Sequence, residues 1–359
     1  MRALVVVCRY LGDTLLATPL AQSLAAAGYE VDWLVAPGNA PLLEHQPFAR
    51  RVITLHPSLT GARAALRELR QPDGKRYEIA CVVNGSDRPM AVTLLAAKQV
   101  YALVPERWQD GWKRLLATGC ITNNPDDHMV CYAFDLARLA QLPEVRSVTL
   151  GWNDRDAAAV AAALNWPAGT HYLHLHPFAR FPYKLWPNEQ WQALIGRLLD
   201  AGLNLAMTGA PHEQAVLEQL VAPFAEARQS GRIRLLAGQL GWAQLACLSH
   251  GSVAYIGMDT ANTHLAASSG APVIALFGPT DPRRWGPWPN GFAGRQPWLA
   301  HAGSGVQRVG NIRLLQGNRS CVPCQLEGCD RRQQSRSQCL DTLPVEQVWA
   351  EIAPLLAAA

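Results

Sequence analysis

Short β-branched runs alternate with longer Ala- and Leu-rich stretches along the first half of the chain. The order is ALVVV, TLLATPLAQSLAAAG, VDWLV, RVITL, ARAALRELR, IACVVN, MAVTLLAAK and VYALV. Runs of this kind, mostly apolar and β-branched, suit strands of a parallel sheet, and the intervening stretches have helical spacing. An open α/β sheet is predicted. After a polar hinge near Asn153 the pattern restarts with HYLHLHP, a helix over 188–201, LNLAMTG, a helix from His212 to about Arg228, RIRLLAG, a short helix ending near Ser249, and VAYIGMDT. Two Rossmann-like halves follow, 1–152 and 153–343. Helical spacing from Pro344 to Leu356 predicts a closing helix (344–359) that packs back across the first half.

The unit from Tyr255 to Pro282, YIGMDTANTHLAASSGAPVIALFGPTDP, combines the strand and helix signals most tightly. A strand from Val253 to Met258 runs into Asp259 and Thr260, and a helix of small residues starts there. Its first N–H groups have no intrahelical partner and face whatever lies beyond the strand's carboxyl end, which is the design of an anion site. The helix ends at Gly270 and a second strand, Pro272 to Phe277, completes a right-handed crossover. A phosphorylated ligand is expected. Neither half carries G-x-G-x-x-G after a strand or G-x-x-x-x-G-K-[ST], so dinucleotide and P-loop readings lose their usual support.

Other candidates stand at the ends of the first strand in each half. Asp13, in RYLGDT, reads either as a helix N-cap or as a general base where the strand opens onto substrate. In HPFARFPYKLWPNEQW, Lys184 and Arg180 are candidate cations for a pyrophosphate, against the plainer reading of solvated loop residues. Glu213, in TGAPHEQ, sits where the dipole favours a carboxylate anyway, and could instead accept hydrogen bonds from a ribose. His264 lies four residues beyond Thr260, on the same helix face.

Composition narrows the classes. The 359 residues suffice for two domains, and a net charge of +4 is too small for bulk nucleic-acid binding. No apolar run reaches the roughly eighteen residues of a membrane span, and Ala3–Cys8 is cut short by Arg9 without a cleavage site, so a cytoplasmic protein is expected. Nine cysteines without a secretion signal read as thiols. Four of them, Cys321, Cys324, Cys329 and Cys339, cluster near the end. Their C-x-x-C pair suits a small metal clip, but the other spacings match no standard zinc knuckle, and thiols packing a C-terminal loop are the alternative.

Taken together, GDTLLATPLAQSLAAAG, HPFARFPYKLWPNEQW, TGAPHEQ, GMDTANTHLAASSGAPVIALFGPTDP and the CVPC…GCDR…SRSQCL stretch resemble the ADP-heptose:lipopolysaccharide heptosyltransferases of glycosyltransferase family nine. The resemblance implies a GT-B fold, with two Rossmann-like domains around a cleft, acceptor on the first and ADP-sugar on the second. It implies Asp13 as base, Lys184 at the diphosphate or sugar, Glu213 at the ribose, Leu240 against the adenine, and Asp259, Thr260, Ala261 and His264 around phosphate and heptose. The donor implied is ADP-L-glycero-D-manno-heptose, with no separate cofactor and no catalytic metal. The acceptor implied is the lipopolysaccharide core on its lipid A precursor, met at the cytoplasmic face of the inner membrane. Arg63, Arg67 and Arg70 on one helix, with Lys113 and Arg114 in a later loop, could meet its anionic groups, though spaced arginines more commonly mark a solvated face. Ala261 stands where the family often has Gly, and Phe178 and Ala179 stand where it often has small hydroxyl residues. Rival readings are a GT-B transferase of another nucleotide sugar and a non-catalytic nucleotide-sugar-binding protein.

Overall fold

The computed structural model describes residues 1–44, 46–70, 74–301, 303 and 305–357. The chain divides into two compact units, Met1–Gly151 and Trp152–Ala359. In the first, β1 (Arg2–Val7), β2 (Glu30–Val35), β3 (Arg51–Thr54), β4 (Tyr77–Val82), β5 (Ala97–Leu103) and β6 (Gly119–Ile121) form one sheet in the order β3-β2-β1-β4-β5-β6. In the second, β7 (Tyr172–His176), β8 (Asn204–Met207), β9 (Ile233–Leu235), β10 (Ala254–Met258), β11 (Val273–Phe277), β12 (Val306–Val309) and β13 (Ile312–Gln316) run β12-β13-β11-β10-β7-β8-β9. Every pairing is parallel except β12 on β13. Both sheets therefore reverse their strand order beside their first strand, and each opens a crevice at the carboxyl ends there, between β1 and β4 and between β7 and β10.

Local chemistry explains most element ends. TLLATPLAQSLAAAG, which reads as one helix, forms two, Leu11–Leu16 and Thr18–Ala26. Pro19 has no N–H to donate and is accommodated in the first turn of the second helix, so the break falls just before it, at Ala17. The expected helix over 212–228 is likewise divided, into Gln214–Val221 and Ala225–Gln229, with Pro223 in the turn between them. By contrast the crossover after β10 has the expected form: a helix Ala261–Ser268, a left-handed Gly270 at φ +83°, and β11 paired in parallel with β10.

One expectation about domain organisation changes. The closing helix, Val345–Leu356, belongs to the second unit, where Val345, Val348 and Ile352 join the core built on β7, β10 and the Asn188–Asp200 helix. Trp186 fixes its approach by donating from Nε1 to Leu343 O at 2.9 Å. Asn153, just past the boundary between the two units, caps the helix Asp154–Leu164. Its Oδ1 accepts from Arg155 N and Asp156 N, and Asp156 Oδ2 accepts from Asn153 N in return. Upstream, the extended residues 145–151 are strapped to the first unit. Ser23 and Thr18 hydroxyls accept from Val145 N and Thr149 N, and Gln46 binds both N–H and C=O of Gly151.

Candidate active site

The second unit's crevice gathers charge. β10 ends in Met258, and the chain turns through Asp259 and Thr260 into the Ala261–Ser268 helix, whose N-cap side chain makes no capping bond. The first N–H groups of that helix stay available at the crevice. From the adjacent β7, the chain leaves through a long loop that carries Lys184 in a short 3-10 turn, Pro182–Lys184. Lys184 Nζ donates to Asp259 Oδ2 at 2.6 Å, and Thr280 Oγ1, beyond the end of β11, donates to the same oxygen at 2.5 Å. Burial opposes the lysine's charge, but the neighbouring Asp259 carboxylate outweighs it and the pKa is raised. The ammonium therefore stays charged at the edge of the crevice.

Beneath this pair runs a line of buried polar groups. His174 and His176, both on β7, share Thr208: His174 Nε2 lies 2.8 Å and His176 Nδ1 3.0 Å from its hydroxyl. His174 Nδ1 reaches Ser249 Oγ at 2.9 Å, and His176 Nε2 reaches Asn262 Nδ2 at 3.0 Å. Asn262 is on the first turn of the crevice helix, so His176 holds that turn in place. Burial lowers the pKa of His174 well below the ordinary value and that of His176 to about 4, so both imidazoles are neutral near pH 7. His264 is buried as well and pushed down to about 4, chiefly by burial, with Lys184 lowering it further and Asp259 opposing. Among the described residues its Nδ1 has no hydrogen-bond partner. A buried polar atom left open in this way points to a ligand hydrogen bond.

The other expected donor residues lie at the same sheet end with less free chemistry. Glu213 Oε2 accepts from Ala210 N at 2.6 Å, in keeping with a carboxylate at a helix start, and leaves its second oxygen for a ligand. Gly209 stands beside it, where an added Cβ would come within 2.8 Å of the Phe178 ring, so only glycine fits. Leu240 is half-buried against the cluster around Tyr172 and Leu248. Arg180 is exposed and its guanidinium lies over the Phe181 ring, 5.2 Å from the centroid. Ala261 occupies the first helical position, where a methyl group is compatible with the backbone.

In the first unit, Asp13 is buried in the Leu11–Leu16 helix, three residues past its N-cap, Tyr10. Its Oδ2 accepts from Tyr10 N at 3.5 Å, so the carboxylate reaches back to the helix start without being the N-cap itself. Arg63 and Arg67 lie on the outer face of Leu59–Leu69, a helix capped by Ser58 Oγ on Gly61 N at 2.9 Å, with Gly61, Ala65 and Leu69 turned inward. Lys113 differs from the expected loop cation. It is buried on the Gly111–Leu116 helix and donates to Asp110 Oδ1 at 2.5 Å and Gly85 O at 2.6 Å, with Asp87 Oδ1 at 2.7 Å. Its charge is neutralised inside the unit. Arg114 donates to Pro105 O.

Of the two readings of the four clustered cysteines, metal clip or packed thiols, the first finds no ligand set in the side chains as placed. Among the described residues no three His, Cys, Asp or Glu side chains are arranged to hold a metal ion. Cys321 and Cys329 are exposed, Cys324 is half-buried, and the thiol of Cys339 is pushed up to about 12, mainly by burial. Thr280, His176 and Asn262 complete the crevice but are not singled out by the sequence, although Thr280 stands within FGPTDP at a strand's carboxyl end, where such a hydroxyl belongs.

Known proteins share this architecture. The profile of glycosyltransferase family 9 (heptosyltransferase) matches residues 64–293, more than half of the chain. Lipopolysaccharide heptosyltransferase 3 of Escherichia coli is 24% identical over 292 residues, covering 79% of this chain and 85% of its own length. Among solved structures, E. coli ADP-heptose lps heptosyltransferase II superposes with a TM-score of 0.77 at 20% identity, covering 100% of this chain and 99% of that one. E. coli heptosyltransferase WaaC with ADP gives 0.70 at 21% identity, covering 99% and 100%. Two Rossmann-like units in the GT-B manner, a charged crevice at the second switch point and a profile match across most of the chain lead to one assignment: the chain belongs to glycosyltransferase family 9, the heptosyltransferases.

Proposed function

We propose that this glycosyltransferase moves L-glycero-D-manno-heptose from its ADP conjugate to the lipopolysaccharide inner core, with inversion at the anomeric carbon. The observation that carries the donor half is the β7/β10 crevice, where the Lys184 ammonium, the uncapped start of the Ala261–Ser268 helix and the open Nδ1 of His264 converge on one sheet end. A diphosphate fits that set. The helix N–H groups and Lys184 take its negative charge, and neutral His264 offers a directional hydrogen bond to a phosphate or sugar oxygen. The ADP and ADP-sugar chemistry named for structural relatives is consistent with it.

In this reading an acceptor hydroxyl gives its proton to the Asp13 carboxylate while its oxygen forms a bond to the anomeric carbon. The bond from that carbon to the phosphate oxygen breaks, and ADP departs with the electron pair. Lys184 and the helix start stabilise the charge that grows on the leaving phosphate, which lowers the barrier because they are already oriented there. Asp259 and Thr280 hold Lys184 at its post.

Purified protein should release ADP from ADP-heptose only when a core oligosaccharide acceptor is present, and the product should carry the inverted anomeric configuration by NMR. Release of nucleotide from a different sugar donor in preference to ADP-heptose, or no acceptor-dependent release at all, would sink the assignment.

A further inference from the structure

The β1/β4 crevice holds a polar group that neither the fold nor the mechanism above uses. The ladder between the two strands runs one rung past β4, where Val83 N donates to Val6 O at 3.0 Å. Beyond that rung the strands part. Cys8 N, which follows β1, donates instead to a side chain, Asn84 Oδ1, at 3.0 Å. A backbone N–H can only donate, so this bond fixes which way the amide faces, with its oxygen toward Cys8 and its NH2 group turned away. Asn84 Nδ2 is buried and, among the described residues, has no hydrogen-bond partner. Its donors are left open at the carboxyl end of the sheet's central strands, where a fold of this kind takes its ligand.

The turn that carries Asn84 is fixed by its neighbours. Ser86 N donates to Asn84 O at 3.0 Å, Lys113 Nζ donates to Gly85 O at 2.6 Å, and Gly85 lies so close to β5 that an added Cβ would run into Leu103 O. Lys113 is held in turn by Asp110 and Asp87. The amide is therefore preorganised, and its position is set by the sheet. Cys8 adds no charge, because burial pushes its thiol up to about 12 and its Sγ donates to Leu34 O at 3.5 Å. Asp13 stands five residues beyond Cys8, on the helix that follows β1. A carboxylate that can take a proton and an amide nitrogen that can only donate suit two oxygens of one polyhydroxyl ring.

We propose that Asn84 binds the acceptor, with Nδ2 donating to a sugar oxygen beside the hydroxyl that Asp13 deprotonates. The ring is thereby oriented for attack before the donor sugar is met. This rests on the reading above, in which the first unit takes the acceptor, and it names the side chain that orients it.

The test is calorimetric titration of the full chain, in the presence of ADP, with inner-core oligosaccharide freed of its lipid. Asn84→Asp keeps an oxygen for Cys8 N but puts an acceptor where the donors were, so oligosaccharide affinity should fall about tenfold or more. Asn84→Ala also abandons Cys8 N, so it should weaken the oligosaccharide to a similar degree and lower the melting temperature as well. ADP affinity should stay as in the wild type in both, since Lys184 and the other donor contacts belong to the second unit. Unchanged oligosaccharide affinity in both variants would reduce Asn84 to a clamp on Cys8 N, and no binding of the oligosaccharide by the wild type would remove the site. Either result overturns the proposal. The expected losses of binding with no acceptor-dependent ADP release in the wild type would count against the enzymatic reading alone.

Discussion

The two sheets share the order of their first five strands, yet their first strands are filled in opposite ways. In β1 the residues from Ala3 to Val7 are all apolar and fully buried, and just beyond them Cys8 N donates to Asn84 Oδ1 at 3.0 Å. In β7 the equivalent slot holds two histidines, which need Thr208, Ser249 and Asn262 as partners, and the crevice above holds Lys184 and Asp259. Buried polar groups are costly unless paired. In the second unit such pairs line the crevice that holds Lys184 and Asp259, whereas the carboxylate at the first crevice is Asp13, on the helix that follows β1. One order of strands thus frames two chemistries.

The sharpest way to break this contrast is at Asp13. Asp13→Asn should lower turnover roughly a hundredfold or more while leaving ADP affinity unchanged by calorimetry, because the proposed mechanism assigns Asp13 the proton and the second crevice the donor contacts. Near-normal turnover would reduce Asp13 to a helix-start residue. Next comes Lys184→Ala, expected to weaken ADP binding about tenfold or more. It should also cost about 1–3 kcal/mol of stability, because it strips the partner from the buried Asp259 carboxylate. A plain loop lysine would cost almost nothing, so an unchanged melt would contradict the pairing.

Acid should act through the histidines of the second unit. His176 and His264 titrate near 4 when folded, against about 6.5 when unfolded, so the unfolded chain binds more protons between those values. Their contribution to stability is complete above about pH 6.5 and is lost as the pH falls toward 4, on the order of 1–3 kcal/mol each. Urea midpoints at pH 7.5 and 5.0 check this, and an unchanged midpoint in His176→Gln and wild type alike would show that burial is not holding the ring neutral. The smallest effect belongs to Arg63→Gln with Arg67→Gln, which should raise the acceptor KM a few-fold and leave ADP affinity and stability untouched, as fits exposed side chains.

What the sequence disclosed depended on the range of the interaction. The β10 exit was readable to the residue because strand, Asp259, Thr260, small-residue helix and Gly270 follow one another directly. The Lys184–Asp259 pair was not, since 75 residues separate its members and only the β7/β10 neighbour relation joins them. Strands β6, β12 and β13 escaped notice for a different reason. GCI is three residues long, VQRV lies at an antiparallel edge, and IRLLQ follows a loop without a helix to signal a crossover. Spacing showed that Val345, Val348 and Ile352 share an apolar stripe but not which sheet it covers.

The placement of that closing helix has a consequence for synthesis. Because it completes the second unit, the first needs nothing made later: its sheet is finished by Ile121 and its strap by Gly151. The amino-terminal half can therefore reach its native state while the remainder is still on the ribosome, with its apolar strands already covered. The second unit has no such early start, since its core waits for Ile352 before its last face is sealed.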